Sequence, residues 1–85
     1  MIESFEVMEV TPEIALSILT NKNRKNRNIS KANLRNLTNA MLNGEWKLTN
    51  QGISFDRDGN LLDGQHRLQA IIESEVTCTM LVGKN

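Results

Sequence analysis

The residues best suited to chemistry lie together in the segment Asp63–Ala70, where a predicted strand passes into a predicted helix. The first N–H groups of a helix have no intrahelical partners, and the positive end of the helix dipole points outward there. Gly64 allows a ligand to approach the backbone closely, and His66 and Arg67 add a titratable donor and a planar five-donor fork. This combination is typical of a site for phosphate or another anion.

The same segment has a structural interpretation, and physics alone favours neither of the two. In that interpretation Asp63 caps the helix and Gly64 relieves the turn. Arg67 then pairs with Glu45 or an aspartate, and His66 is a hydrogen-bonded structural histidine. Basic side chains are unfavourable at a helix N-terminus, however, and an anionic ligand would explain their presence.

Charge is distributed unevenly along the 85 residues, although ten basic and ten acidic side chains give a net charge of zero. Residues 1–21 carry a net charge of −4, residues 22–44 carry +6 with no acid, and residues 45–85 carry −2. Overall neutrality argues against a general polyanion or membrane binder. The basic segment 22–35 is suited to phosphate contacts, and DNA binding through it is an alternative function.

Several motifs in a fixed order resemble those of one superfamily. Asp63–Ala70 resembles the Gly-x-x-Arg-x-x-Ala box of the ParB/sulfiredoxin superfamily, most closely the Asp-Gly-Gln-His-Arg-Leu form of its phage and mobile-element members. Residues 10–13 and 23–30 are similar to the family's first-helix opening and its Asn-x-x-Asn-Arg loop. Residues 44–46 and 53–59 are similar to its Gly-x-Trp motif and its strand ending in Asp-x-x-Gly. The resemblance implies a small ParB/sulfiredoxin-like α+β domain.

The superfamily uses this box and this loop to hold nucleotide phosphates, CTP in ParB proteins and ATP in sulfiredoxin. By position, the resemblance implies a phosphate site made of Asn26, Arg27, Gly64, Gln65, His66 and Arg67. Magnesium would enter with the nucleotide, and Asp63 is the nearest candidate ligand for it. The leading prediction is therefore a ParB-like module of phage or mobile-element type that binds a nucleotide or another phosphate anion without catalysis.

Departures from the family pattern argue against catalysis. Sulfiredoxin has its catalytic cysteine immediately before the His-Arg pair, where this chain has Gln65, and glutamine is not a nucleophile. Nucleotide-cycling ParB proteins often have Glu-Arg where this chain has Gln65 and His66, so nucleotide hydrolysis stays open. The single Cys78 falls in a predicted buried strand and is expected to be an inert small hydrophobe. Sulfinic acid reduction is therefore not expected.

Hydrophobic periodicity predicts the order β-α-α-β-β-α-β in a single domain spanning 1–85. Thr11-Pro12 opens the first helix, Ser30 caps the second, and Gly44 ends it. The third helix follows the box and ends near Ser74.

Alternating apolar residues predict the strands. They indicate a first strand over 5–10 and extended chain on both sides of 50–52, with apolar residues at 46 and 48 and at 53 and 55. They also indicate a last strand over 76–82 that is bounded by Gly83. The Asp-Gly pair within 56–60 predicts a hairpin turn and not a calcium loop, which would need glycine at its sixth position and glutamate at its twelfth.

The three aromatic residues, Phe5, Trp46 and Phe55, are expected in the core, which disfavours single-strand binding by stacking. One cysteine excludes an intramolecular disulfide, and no apolar run approaches the ~18 residues of a membrane span. We therefore expect a cytoplasmic protein with no membrane partner. The runner-up function, ahead of DNA binding, is a protein-interaction or inhibitor module that binds a host or phage protein.

Overall fold

A computed structural model describes residues 4–22, 29–44 and 52–84. Their element order is β-α-α-β-β-α-β, which confirms the order predicted from the sequence. The strands are β1 (Ser4–Val10), β2 (Ile53–Phe55), β3 (Leu61–Asp63) and β4 (Cys78–Lys84), and the helices are α1 (Pro12–Asn21), α2 (Lys31–Leu42) and α3 (Gln65–Ser74). These described residues form a small α+β unit, and none of their helices has the length and apolar character needed to cross a bilayer.

Side-chain caps begin the first two helices at the predicted residues. Thr11 Oγ1 accepts the Ile14 N–H at 3.1 Å, and Pro12 occupies the first helical position. Ser30 Oγ accepts the Asn33 N–H at 3.4 Å at the start of α2. Such caps satisfy N–H groups that have no partner within the helix, and each contributes about 1 kcal/mol.

The strands form one mixed sheet in the order β1-β4-β2-β3. β4 pairs antiparallel with β1 and parallel with β2, and β2 and β3 form an antiparallel hairpin. The last strand differs slightly from its prediction, because Val76 precedes it and Gly83 lies within it, paired with Phe5 of β1.

One face of this sheet and the inner faces of the helices form the core. Its buried residues share an apolar character and come from every described element: Val10, Ala15, Met41, Ile53, Leu61, Leu68, Ala70, Ile71, Cys78, Met80 and Val82. Leu68, Ala70 and Ile71 of α3 are 0% exposed. Since α3 contacts both other helices, its position determines where the Asp63–Ala70 segment lies.

The prediction that all aromatic residues lie in the core is wrong for Phe5. Its side chain is 59% exposed, because Phe5 and Val7 lie on the sheet face opposite the helices, whereas Met8 and Val10 face inward. Phe55 is half-buried and packs against the core. Trp46 lies outside the described residues.

The β2–β3 turn confirms the predicted hairpin. Asp56 Oδ1 accepts the N–H groups of Asp58 and Asn60 at 2.9 and 2.8 Å, and the Asp56 N–H donates to the Asn60 carbonyl at 2.8 Å. The Asp56 carboxylate therefore organises the turn, as the structural interpretation of this aspartate-rich segment predicts.

Candidate functional site

Gly64 forms the junction between β3 and α3. It has φ 110° and ψ 10°, a left-handed conformation that side chains other than glycine rarely adopt. A Cβ atom built on it would overlap the Ile53 side chain and lie 2.9 Å from Ile53 Cβ. Gly64 is therefore required for packing against β2, a role that the sequence interpretation, which emphasised ligand approach, did not include.

The start of α3 presents backbone donors at the positive end of the helix dipole. The Leu68 N–H donates to the Gly64 carbonyl at 3.0 Å. Gln65, His66 and Arg67 come before Leu68 in α3, so their N–H groups belong to the first turn of the helix. All three residues are half-buried. The structure thus brings four of the six predicted phosphate-binding residues together at one helix terminus.

Asp63 lies beside these donors but does not occupy the N-cap position. Its Oδ1 accepts the N–H of Gly64 at 2.9 Å, and Gly64 itself is the N-cap residue. Asp63 is exposed, so its negative charge faces any ligand that approaches the start of α3. A divalent cation bound with an anionic ligand would offset this repulsion.

His66 connects the starts of two helices. Its Nε2 atom accepts the Ser30 N–H at 2.8 Å across 36 positions of sequence. A nitrogen that accepts carries no hydrogen, so this bond requires the neutral imidazole with its hydrogen on Nδ1. His66 is therefore hydrogen-bonded, as the structural interpretation expects, and the bond connects the start of α3 to the start of α2.

Two helix N-termini consequently lie within the reach of one histidine side chain. Neither α2 nor α3 has an acidic residue in its first turn, and α2 begins with the exposed cation Lys31. The positive ends of two helix dipoles and a lysine then act on the same region. This arrangement makes the starts of α2 and α3 electropositive, apart from Asp63.

The other two predicted phosphate-binding residues, Asn26 and Arg27, lie outside the described residues. The described chain on either side of them is bonded to the β3–α3 segment. The Leu61 N–H donates to the Lys22 carbonyl at 2.7 Å, and Ser30 is bonded to His66. Sequence reasoning missed both contacts, because a bond between residues so far apart in the chain has no local signal.

Cys78 is buried in β4 at 3% exposure, as predicted. Burial raises the pKa of its thiol above the ordinary value, so the unreactive neutral form is favoured. The described residues also include no group of three or more His, Cys, Asp or Glu side chains placed to hold a metal ion. Asp63 therefore does not form a metal site with the other described residues.

Comparisons with known proteins find no match to this chain among family models, curated proteins or solved structures. The fold and the site define a small α+β protein with a mixed four-stranded sheet, in which Gly64 joins β3 to the N-terminus of α3.

Replacing His66 with Ala is expected to loosen the contact between α2 and α3. The substitution removes the acceptor of the Ser30 N–H, and one such bond contributes about 0.5–1.5 kcal/mol. Amide hydrogen exchange at Ser30, measured by NMR, should accelerate roughly two- to tenfold beyond any global change. Gln69→Ala is the control, since it removes only an exposed contact with Glu73 on the same helix. Unchanged exchange at Ser30 in the His66 variant would contradict the prediction.

Proposed function

We propose that this protein binds a nucleotide or another phosphate anion at the start of α3, as a non-catalytic ParB-like module of phage or mobile-element type. The observation that carries the proposal is the pair of bonds that flank the Asn26 and Arg27 segment. Lys22 is bonded to Leu61 and Ser30 to His66, so both ends of this basic segment attach to the β3–α3 segment. The described residues on either side of the loop motif therefore contact the segment that carries the box, which supports the proposal.

The chemistry of the α3 terminus supports phosphate as the ligand. Backbone N–H groups at residues 65–67 and the Arg67 guanidinium are the donors that phosphate oxygens prefer. A guanidinium bonds two phosphate oxygens at once, which orients the ligand as well as holding it. The partly buried setting of Arg67 strengthens such a contact relative to bulk water.

The position of Asp63 favours a nucleotide that binds together with magnesium. An exposed carboxylate next to the donors repels a bare triphosphate, whereas a magnesium–nucleotide complex presents a cation to it. Asp63 would then contribute one oxygen ligand, and the nucleotide phosphates and water would supply the others. CTP and ATP are the nucleotides that the resemblance implies.

Isothermal titration calorimetry with CTP and ATP, in the presence of magnesium, is expected to show binding that Arg67→Ala weakens by roughly tenfold or more. The reason is the loss of a charged donor at the phosphate. Arg57→Ala is the matched control, because Arg57 lies on the β2–β3 turn, at the other end of β3 from Gly64. Circular dichroism should show that both variants are folded.

Titrations without magnesium extend the same experiment. Removing magnesium should weaken binding to the wild-type protein, and Asp63→Asn should make this difference smaller because the repulsive charge is gone. The absence of heat with CTP, ATP and inorganic phosphate would overturn the proposal. Equal binding by wild type and the Arg67 variant would also contradict the proposed site.

DNA binding is a second candidate because the exposed side of α2 is basic. Lys31 and Arg35 lie one turn apart and are exposed, and α2 contains no acidic residue. Phosphate contacts by these cations would make DNA affinity fall steeply with salt. A duplex DNA titration at two salt concentrations, run beside the nucleotide titrations, distinguishes the two candidates.

A further inference from the structure

A cleft apart from the start of α3 opens between α1 and the sheet. Its volume is about 510 Å³, which lies within the ~300–1,000 Å³ range of small-molecule sites in proteins. Its floor is apolar and is formed by side chains from α1, β1, β2 and β4: Met8, Ile14, Ile18, Phe55 and Val82. All of these except Val82 are half-buried, so they pack against the core and can still contact a ligand.

Two acidic side chains border the floor, and both are engaged within the protein. Glu6 Oε1 forms an ion pair with Lys84 Nζ at 3.3 Å. Asp56 Oδ1 accepts two backbone N–H groups of its own turn at 2.9 and 2.8 Å. Each carboxylate keeps its negative charge while it makes these contacts, so both count in the charge balance of the cleft.

Two cations on the rim, Lys22 and Arg57, do not form ion pairs with the acidic side chains of the cleft. Lys22 is the C-cap residue of α1 and Arg57 lies on the β2–β3 turn, and both are exposed. The Lys22 ammonium lies over the same turn, next to Gly59. Among the described residues, no acidic side chain forms an ion pair with Lys22 or Arg57. The charged side chains that line the cleft are three cations and two carboxylates (Lys22, Arg57 and Lys84 with Glu6 and Asp56), so the lining carries a net charge of +1 and favours an anionic group.

We propose that this cleft binds a small organic anion with an apolar body, of the class of medium-chain carboxylates. The apolar body lies on the side chains of Met8, Ile14, Ile18 and Phe55 and displaces water from them. The anionic group lies between Lys22 and Arg57. An apolar floor with a few charged groups at one edge is the usual composition of such sites.

The cleft goes beyond the proposed phosphate site and is independent of it. The β2–β3 turn and Gly64 lie at opposite ends of β3, which is about 10 Å long. Arg67 and His66 do not line the cleft, and Lys22 and Arg57 do not lie at the start of α3. Failure of nucleotide binding would therefore leave the cleft proposal intact, and the reverse also holds.

The test compares decanoate with decyltrimethylammonium, two amphiphiles of the same chain length and opposite charge, below the concentrations at which either forms micelles. Methyl NMR spectra should show saturable shifts at Ile14, Ile18 and Met8 with decanoate. The exposed Leu42, which does not line the cleft, should shift little. Decyltrimethylammonium should bind more weakly, because Lys22 and Arg57 repel its head group.

The double variant Lys22→Glu with Arg57→Glu should weaken decanoate binding by roughly five- to twentyfold, as expected for reversing two exposed charges. Lys31→Glu with Arg35→Glu makes the same change in net charge at exposed positions on α2 and should leave decanoate binding unchanged. All four substitutions are at exposed residues, and circular dichroism checks that both variants fold.

Three results would overturn the proposal. The first is equal affinity for the two amphiphiles, and the second is a decanoate affinity that the Lys22 and Arg57 reversal does not change. The third is shifts at Leu42 and the exposed Val7 as large as those in the cleft, which would indicate non-specific adsorption.

Discussion

Gly64→Ala is expected to destabilise the protein by about 3 kcal/mol. A side chain at a φ of 110° costs roughly 1–2 kcal/mol, and the overlap of its Cβ with Ile53 adds roughly 1–3 kcal/mol. The overlap is not relieved by a side-chain rotation, because Ile53 Cα lies only 3.0 Å from the added Cβ. A chain of 85 residues has a total stability of about 4–13 kcal/mol, so much of it would be lost.

Thermal unfolding followed by circular dichroism measures this effect, which should lower the Tm by roughly 12–24 °C. Gly44→Ala is the matched control. Gly44 also has a positive φ, of 70°, but no described atom lies within 4 Å of a Cβ built on it. Its substitution should therefore show only the backbone cost, about 1 kcal/mol. Equal destabilisation by the two substitutions would mean that contact with Ile53 is unimportant.

Local sequence signals were sufficient to predict the helices and the hairpin. Thr11 and Ser30 accept N–H groups three residues ahead, as their side-chain chemistry and position predict. The Asp56–Asn60 turn follows from an aspartate that bonds its own backbone. These interactions connect residues two to four positions apart, so the sequence contains all their partners within a short window.

The faces of β1 could not be predicted in the same way. Residues alternate between the two faces of β1, and each face has two apolar residues and one glutamate. One face has Phe5, Val7 and Glu9, and the other has Glu6, Met8 and Val10. Pairing with β4 decides between them, because Val10 lies opposite Cys78 and Met8 opposite Met80 on the helix-facing side. Phe5 is exposed as a consequence of that register.

The candidate site could be predicted in part for a related reason. Gly64, Gln65, His66 and Arg67 are consecutive, so a correct strand-to-helix prediction already places them together. The bond between His66 and Ser30 depends on how α2 packs against α3, which no local pattern determines. The apolar cleft depends on how α1 packs beside β1, β2 and β4, which no local pattern determines, and Phe55 is half-buried there at the end of β2.

Leu68→Ala is expected to cost roughly 2–5 kcal/mol in the free energy of unfolding. Leu68 is 0% exposed in the first turns of α3, so its truncation leaves a cavity in the core that surrounding elements fill only partly. Leu16→Ala is the matched control, since Leu16 also lies in a helix but is 57% exposed. That substitution should change stability by less than about 0.5 kcal/mol. Urea denaturation followed by circular dichroism measures both values.

The Leu68 variant also separates stability from binding. Its side chain is buried in the core, whereas the backbone donors and Arg67 occupy the start of the same helix. At a temperature where the variant is folded, its CTP affinity should equal that of the wild type, in contrast to Arg67→Ala. Because only folded protein binds, the apparent CTP affinity of Leu68→Ala falls as its unfolded fraction rises. A loss no larger than this would mean that the site itself is intact. A larger loss would mean that core packing around Leu68 positions the phosphate donors of α3.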